Sequence, residues 1–184
     1  SGMSRTLVRM VRDTLLEAGE PSGPEIRRWD AAADHDRIRT IYGAAFGHDP
    51  WPADWDRFDE FDPEGVFVAE DGAIVAGDGA FVAGDGAIVA GDGRDLVGFC
   101  ICFLRRGEGY ISVVAVLPSH RRRGIASALV RRAVAHLRER GAEVVRIDAY
   151  EDARAAVGAY HSLGFEVYDT VEDPDADPRG TAEE

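Results

Sequence analysis

Residues 114–129 read VAVLPSHRRRGIASAL and hold the densest chemistry in the chain. An apolar strand ends at Leu117, Pro118 breaks it, and three arginines with Gly124 lead into an amphipathic helix. A glycine-containing loop that opens a helix presents backbone N–H groups without intrahelical partners at the positive end of the helix dipole. Such a loop suits an anion, above all a phosphate, and glycine lets the backbone come close to it. Taken alone, the string is read more readily as a helix start whose arginines are merely solvated.

The other reactive side chains are sparser. Cys100 and Cys102 stand two apart in an apolar run, so they share one face of a strand and read as small hydrophobes; a disulfide framework or cysteine metal site is not expected. None of the five histidines shows a metal-ligand spacing, so no metal is expected. Tyr160, in YHSLGF, reads from its position as an amphipathic residue packing a helix onto a sheet, and His161 as a surface residue of that helix.

Charge is unevenly spread. The net charge of −13 argues against a general nucleic-acid binder. Residues 120–140 nevertheless carry seven arginines and one acid, Glu139, while residues 49–64 carry seven acids and one arginine, Arg57. One region suits an anion and the other a cation, although an acidic tract also fits a solvated face. Every basic residue is arginine, and asparagine and glutamine are absent, which reads as coding bias and not as chemistry.

The elements that must position these residues follow from periodicity. SRTLVRMVRDTLLEAG, with apolar residues at 7, 8, 11 and 15 and Ser4 as N-cap, predicts an accessory amphipathic helix within residues 1–23. A strand at 25–29 and a helix at 34–47 follow, then strands at 96–104 and 110–117 joined by the turn RRGEG. A helix over about 122–140, a strand EVVRIDAY, a helix over about 152–163 and a strand FEVYDTV complete the pattern. Antiparallel strands followed by a βαβαβ alternation predict an α/β (α+β) mixed sheet with helices on both faces. The expected organisation is one domain over 24–171 and an acidic tail over 172–184. With no apolar run of about 18 residues and no signal peptide, a soluble cytoplasmic protein without membrane contact is expected.

Residues 65–92 repeat a heptad: GVFVAED, GAIVAGD, GAFVAGD, GAIVAGD. Two glycines per heptad and rows of β-branched residues disfavour a coiled coil, whereas strands joined by Asp-Gly turns fit. The flanking pieces FVAED and GRDLVGFC read as the arms of one hairpin. Residues 72–92 are therefore expected as an insertion at its turn, forming a protruding hairpin or poorly ordered loop away from any cofactor.

In this context the string V-L-P-S-H-R-R-R-G-I-A-S-A-L, followed about 35 residues later by Y-H-S-L-G-F, resembles the GCN5-related N-acetyltransferase (GNAT) family. The resemblance implies acetyl-CoA as co-substrate and a primary amine, of a small cationic acceptor, as its partner; a protein N-terminus and a catalytically silent CoA-binding module are the alternatives. It implies that Arg121, Gly124 and Ala126 fill the family's cofactor-binding motif positions and that the backbone of Arg122, Arg123, Gly124, Ile125, Ala126 and Ser127 cradles the pyrophosphate. Val114 and Val116 would offer backbone groups to the pantetheine arm and thioester carbonyl, where the strand splays from its neighbour. Tyr160 would protonate the departing thiolate, the acidic tract would wall the acceptor site, and a homodimer is compatible. Three departures stand out. Ala153 replaces an asparagine common in the family, and the strand over 110–116 lacks the usual acid: Tyr110 and Ser112 are its polar residues, leaving a water or a carboxylate such as Glu108, Asp54 or Asp56 as base. The C-terminus lacks a strand that the family normally adds, so the sheet must be truncated or completed by another segment.

Overall fold

The computed structural model describes residues 4–14, 25–46, 61–72, 74–76, 80–82, 88–89 and 94–174. Its main sheet has seven strands: β1 (Arg5–Asp13), β2 (Glu25–Arg28), β3 (Val66–Gly72), β7 (Arg94–Arg105), β8 (Glu108–Val116), β9 (Val144–Tyr150) and β10 (Glu166–Asp173), in the order β10-β1-β9-β8-β7-β3-β2. Only β8 and β9 pair in parallel, so the expected mixed sheet is present. Helices α2 (Ile125–Glu139) and α3 (Arg154–Ser162) cover one face, and α1 (Ala31–Phe46) covers β7 and β8 on the other. No described helix is long and apolar enough to cross a membrane.

The N-terminal segment corrects the sequence reading: residues 5–13 form a strand, not an accessory helix. Val8 and Met10 face the core at 5% and 0% exposure, with Arg12 and Thr14 continuing the same alternation. The spacing 7, 8, 11 matched a helical face, but the inward set is 8, 10, 12, 14, which has a period of two. Tertiary context decides the contest, because the gap between β9 and β10 needs a strand and β1 pairs with both. This is the segment that completes the sheet left open at the C-terminus. Arg12 is held there by bonds to the Leu163 carbonyl at 2.6 Å and the Asp13 carbonyl at 3.0 Å. The strand β10 also runs past the expected end, and Glu172 accepts from the hydroxyls of Ser4 and Thr6, each at 2.8 Å.

The remaining elements stand close to expectation. Helix α1 starts earlier than predicted because Asp30 caps it, its Oδ1 accepting from the N–H groups of Ala32 and Ala33 at 3.0 and 3.2 Å. Cys100 and Cys102 are buried as small hydrophobes, and burial pushes the Cys100 thiol up to about 12.

The repeat forms β4 (Ile74–Ala76), β5 (Ala80–Val82) and β6 (Ile88–Val89), a separate antiparallel sheet in the order β4-β5-β6. Its root is the pair Gly72↔Arg94, so the flanking segments are the two arms of one hairpin, as the sequence suggested. The insertion is a small meander instead of a simple hairpin. Its root is also not remote from the loop that follows β8. β3 and β8 both pair antiparallel to β7, so they run in the same direction and end at the same edge of the sheet.

Candidate active site

Strand β8 carries a bulge. Its register with β7 shifts between Cys102↔Ile111 and Ile101↔Val113, leaving Ser112 as the extra residue, exposed, with its Oγ donating to the Ile101 carbonyl at 3.3 Å. The parallel pairing of β8 with β9 ends at the same level, at Ile111↔Ile147. Beyond it β8 continues to Val116 along β7 while β9 continues to Tyr150 along β1, so a slot opens between them.

The slot has a polar wall made of backbone. The Leu117 N–H bonds the Val97 carbonyl at 2.8 Å, so residue 117 points its backbone groups toward β7. Backbone direction alternates along a strand, which turns the N–H and C=O of Val116 and Val114 the other way, into the slot. Their side chains are buried under α2 at 0% and 2% exposure and serve only packing. The groups available to a ligand at Val114 and Val116 are therefore the backbone groups.

At the C-terminal end of β8, Pro118–His120 form one 3-10 turn, and the chain then takes two left-handed steps, Arg122 at φ 64° and Gly124 at φ 76°. Gly124 stands immediately before α2, and no side chain caps the helix. The N–H groups at its N-terminus are thus turned outward beside exposed Arg122 and Arg123, an arrangement suited to a phosphate. A Cβ on Gly124 would meet nothing within 4 Å, so the glycine is required by its positive φ and not by protein crowding. Open space is thus left beside the N-terminus of α2. Ile125 and Ala126 bury their side chains at 3% and 2% exposure, and Ser127 is half-buried, leaving only backbone for a ligand at the first two.

The three arginines have different roles. Arg121 is half-buried and donates to the Ala45 carbonyl at 3.2 Å, which ties the loop to the C-terminus of α1. His120, which sequence reasoning did not single out, fixes the entry to the loop. Its Nδ1 lies 2.7 Å from Ser119 Oγ and its Nε2 lies 2.9 Å from Asp71 Oδ2, next to the root of the repeat.

Tyr160 is wholly buried in the same core cluster as Val114, Val116 and Ala126, its ring 6.1 Å from Phe165. This is the packing position expected of it on the α3 face. Ala153 stands at the N-cap of α3 and supplies no capping side chain.

The candidate bases separate by position. Glu108 and Tyr110 lie at the start of β8, roughly 13 Å of strand from Ser112 for Glu108. Glu108 is held bidentately by Arg146 at 2.9 and 3.1 Å, which keeps its carboxyl below the usual range. Asp54 and Asp56 fall outside the described residues, as does the acidic tract up to residue 60. The described end of that tract is not an acceptor wall: Asp62 pairs with buried His136 at 3.2 Å, and Glu64 bonds Arg140. Both partners belong to the C-terminal end of α2, roughly 20 Å of helix from its N-terminus. Asp148, unremarked in the sequence, is the residue of β9 just past the last pair with β8. It points away from the α3 face, 3.6 Å from Arg9 of β1, and burial pushes its carboxyl above the ordinary range despite that cation.

Comparison with known proteins gives a consistent identification. The model of the "Acetyltransferase (GNAT) family" matches residues 35–165. A mycothiol acetyltransferase of Thermobispora bispora is 31% identical over 180 residues, covering 88% of this chain and 54% of that protein. One from Paenarthrobacter aurescens is 29% identical over 170 residues, covering 85% and 46%. The chain thus spans about half the length of these relatives. A crystal structure of a GCN5-related N-acetyltransferase from Sphaerobacter thermophilus superposes with a TM-score of 0.66 at 25% identity, over 90% of this chain and 49% of the other.

Proposed function

Because the chain belongs to the GNAT acetyltransferase family, we propose that it transfers an acetyl group from acetyl-CoA to a primary amine, by direct attack within a ternary complex. The observation that carries this reading is the slot. It is bounded by strand backbone at Val114 and Val116 and leads to the uncapped, arginine-flanked start of α2. A thioester on a long arm with a pyrophosphate at its far end fits such a track.

In this reading the backbone of residues 122–127 holds the pyrophosphate, with Arg122 and Arg123 adding charge and Arg121 bracing the loop against α1. Backbone groups of Val114 and Val116 bond the pantetheine arm, and an N–H there stabilises the oxyanion formed as the amine attacks the carbonyl carbon. When the C–S bond breaks, its electron pair stays on sulfur and the Tyr160 hydroxyl supplies the proton. That these relatives bear the name mycothiol acetyltransferase supports an acceptor other than a protein N-terminus.

The test is Tyr160→Phe. With acetyl-CoA Kd from calorimetry and turnover from thiol release, kcat is expected to fall about 10²-fold or more while Kd stays within twofold. A near-normal kcat would leave Tyr160 a packing residue. The uncapped Ala153 favours a second reading, a CoA-binding module without catalysis, and tight binding with no thiol release against any amine would establish it.

A further inference from the structure

The amine that attacks the thioester reaches neutral pH as an ammonium ion and must lose a proton first. We propose that Asp148, at the mouth of the slot on the sheet face opposite Tyr160, holds the acceptor as a primary ammonium and takes that proton. This inference rests on the acetyl-transfer reading above.

Register places the residue. Ile147 is the last residue of β9 paired with β8, opposite Ile111, so Asp148 stands level with the bulge at Ser112, where the strands part. The inward neighbours Ile147 and Ala149 belong to the core that contains Tyr160, and strand alternation turns Asp148 to the other face. A thioester in the slot would then have a carboxylate on one side and a phenol on the other. The attacking nitrogen and the departing sulfur need groups on different sides of the carbonyl carbon, and this arrangement supplies them.

The described carboxylates of this face nearest the slot, Asp148 apart, are committed elsewhere, while Asp169 stands on β10 with β1 between it and β9. Glu108 is bound bidentately by Arg146, Asp152 is bound by Arg5, and Asp173 accepts from Tyr150 at 2.8 Å. Among the described residues Asp148 has one cation, Arg9, at 3.6 Å, a weak contact between half-exposed side chains. The charged and titratable groups around it are Arg9 and, opposite Arg9 on β10, Asp169; Arg146 and Tyr150 two residues either way on β9; and Tyr168, over which Arg9 and Arg146 stack at 5.8 and 4.7 Å. Burial raises the Asp148 carboxyl, and Arg9 opposes that shift. A base with a raised pKa takes a proton from an ammonium more readily than an ordinary carboxylate does.

The step balances. The ammonium gives one proton to Asp148, and the freed lone pair forms the N–C bond as the carbonyl π pair moves to oxygen. On collapse the C–S bond breaks with its pair on sulfur, which takes the Tyr160 proton. The nitrogen's surplus proton and the one on Asp148 pass to solvent, and the phenolate takes a proton back from solvent, so one proton is released per acetyl group transferred.

The test uses the full chain, with ethanolamine, glucosamine, spermidine and a free-N-terminus tetrapeptide as probes. Release of CoA by the wild type with none of them, while acetyl-CoA binds, would refute the acetyl-transfer reading itself. With an active wild type, Asp148→Asn is expected to lower kcat/KM for the best probe about 10²-fold or more and leave acetyl-CoA Kd within twofold. The acid limb of the wild-type kcat/KM profile should vanish in Asp148→Asn and survive in Asp148→Glu. It should move to higher pH in Arg9→Leu, where burial acts unopposed. The fold binds a proton at Asp148 more tightly than the unfolded chain does, so its ionised form is a cost above its folded pKa. Asp148→Asn should therefore melt at or above the wild-type temperature at pH 7. Activity within threefold of wild type, an unchanged acid limb, or a proportionate loss of acetyl-CoA affinity would each overturn the assignment of Asp148 while leaving the reaction standing.

Discussion

Strand β1 offers the sharpest test of how this sheet is built, because a helix and a strand over residues 5–13 bury different side chains. In the structure Met10 and Val8 are buried at 0% and 5% exposure, while Leu7 and Val11 lie half-buried on the opposite face. Truncating a fully buried methionine typically costs about 2–5 kcal/mol. Val8→Ala removes two methyl groups, about 1.6 kcal/mol of transfer free energy before any cavity contribution. For a domain of this size each kcal/mol moves Tm by about 2–4 °C. Met10→Ala should therefore melt roughly 4–20 °C lower and Val8→Ala roughly 3–6 °C lower on the same scale. Leu7→Ala and Val11→Ala should each cost about 1 kcal/mol or less, since much of their surface already meets water. Thermal and urea melts of the four variants, followed by circular dichroism, decide the matter. If Leu7 and Val11 cost as much as Val8 and Met10, the alternation is wrong and β1 does not fill the gap between β9 and β10.

Two further outcomes follow from the loop and the repeat. Gly124→Val forces a β-branched residue to φ 76°, a strain of about 1–3 kcal/mol that is relieved only by turning the loop's N–H groups; acetyl-CoA Kd should rise at least tenfold with a Tm loss of a few degrees. Unchanged affinity in the folded variant would remove the pyrophosphate from residues 122–127. Excising residues 72–92 should leave Tm and acetyl-CoA Kd nearly unchanged. The register already pairs Asp71 with Asp95, and the remaining Gly93-Arg94 makes a two-residue connection with glycine first, as a type II′ turn requires. Asp71 stays in place for His120. Loss of folding or of CoA affinity on excision would make the meander part of the functional fold.

The loop and helix start proposed to hold the cofactor were legible because they are written in consecutive residues. A breaker at Pro118, a glycine at 124 and an amphipathic run from Ile125 specify a strand, a turn and a helix start locally, and a ligand held by backbone needs nothing more. The slot itself was not legible from the residues alone. It depends on where two strands stop pairing, at Ile111 and Ile147, which are 36 positions apart in sequence, 147 minus 111. The N-terminal strand was misread for a related reason. Residues 7, 8 and 11 satisfy a helical face locally, and only the need to bridge β9 and β10 selects the other pattern.

Acceptor chemistry was hidden more deeply, because charge counted along the chain is not charge placed in space. The acidic tract over 49–64 suggested a cation site, yet its described acids, Asp62 and Glu64, are engaged with His136 and Arg140 at the far end of α2. Asp148 sits singly in a strand that reads as buried, RIDAY, and nothing around it in sequence marks it. Its position follows from two registers together: the parallel pairing that ends at Ile147, and the antiparallel pairing with β1 that sets Arg9 beside it. A carboxylate at the point of divergence is exposed to the slot by the same geometry that opens the slot, whereas a carboxylate two residues earlier on β9 would lie beside paired strand. Moving the acid along this face therefore tests position apart from charge. The double variant Asp148→Asn with Arg146→Asp keeps an acid on the same strand and face of β9 but should not recover the lost turnover.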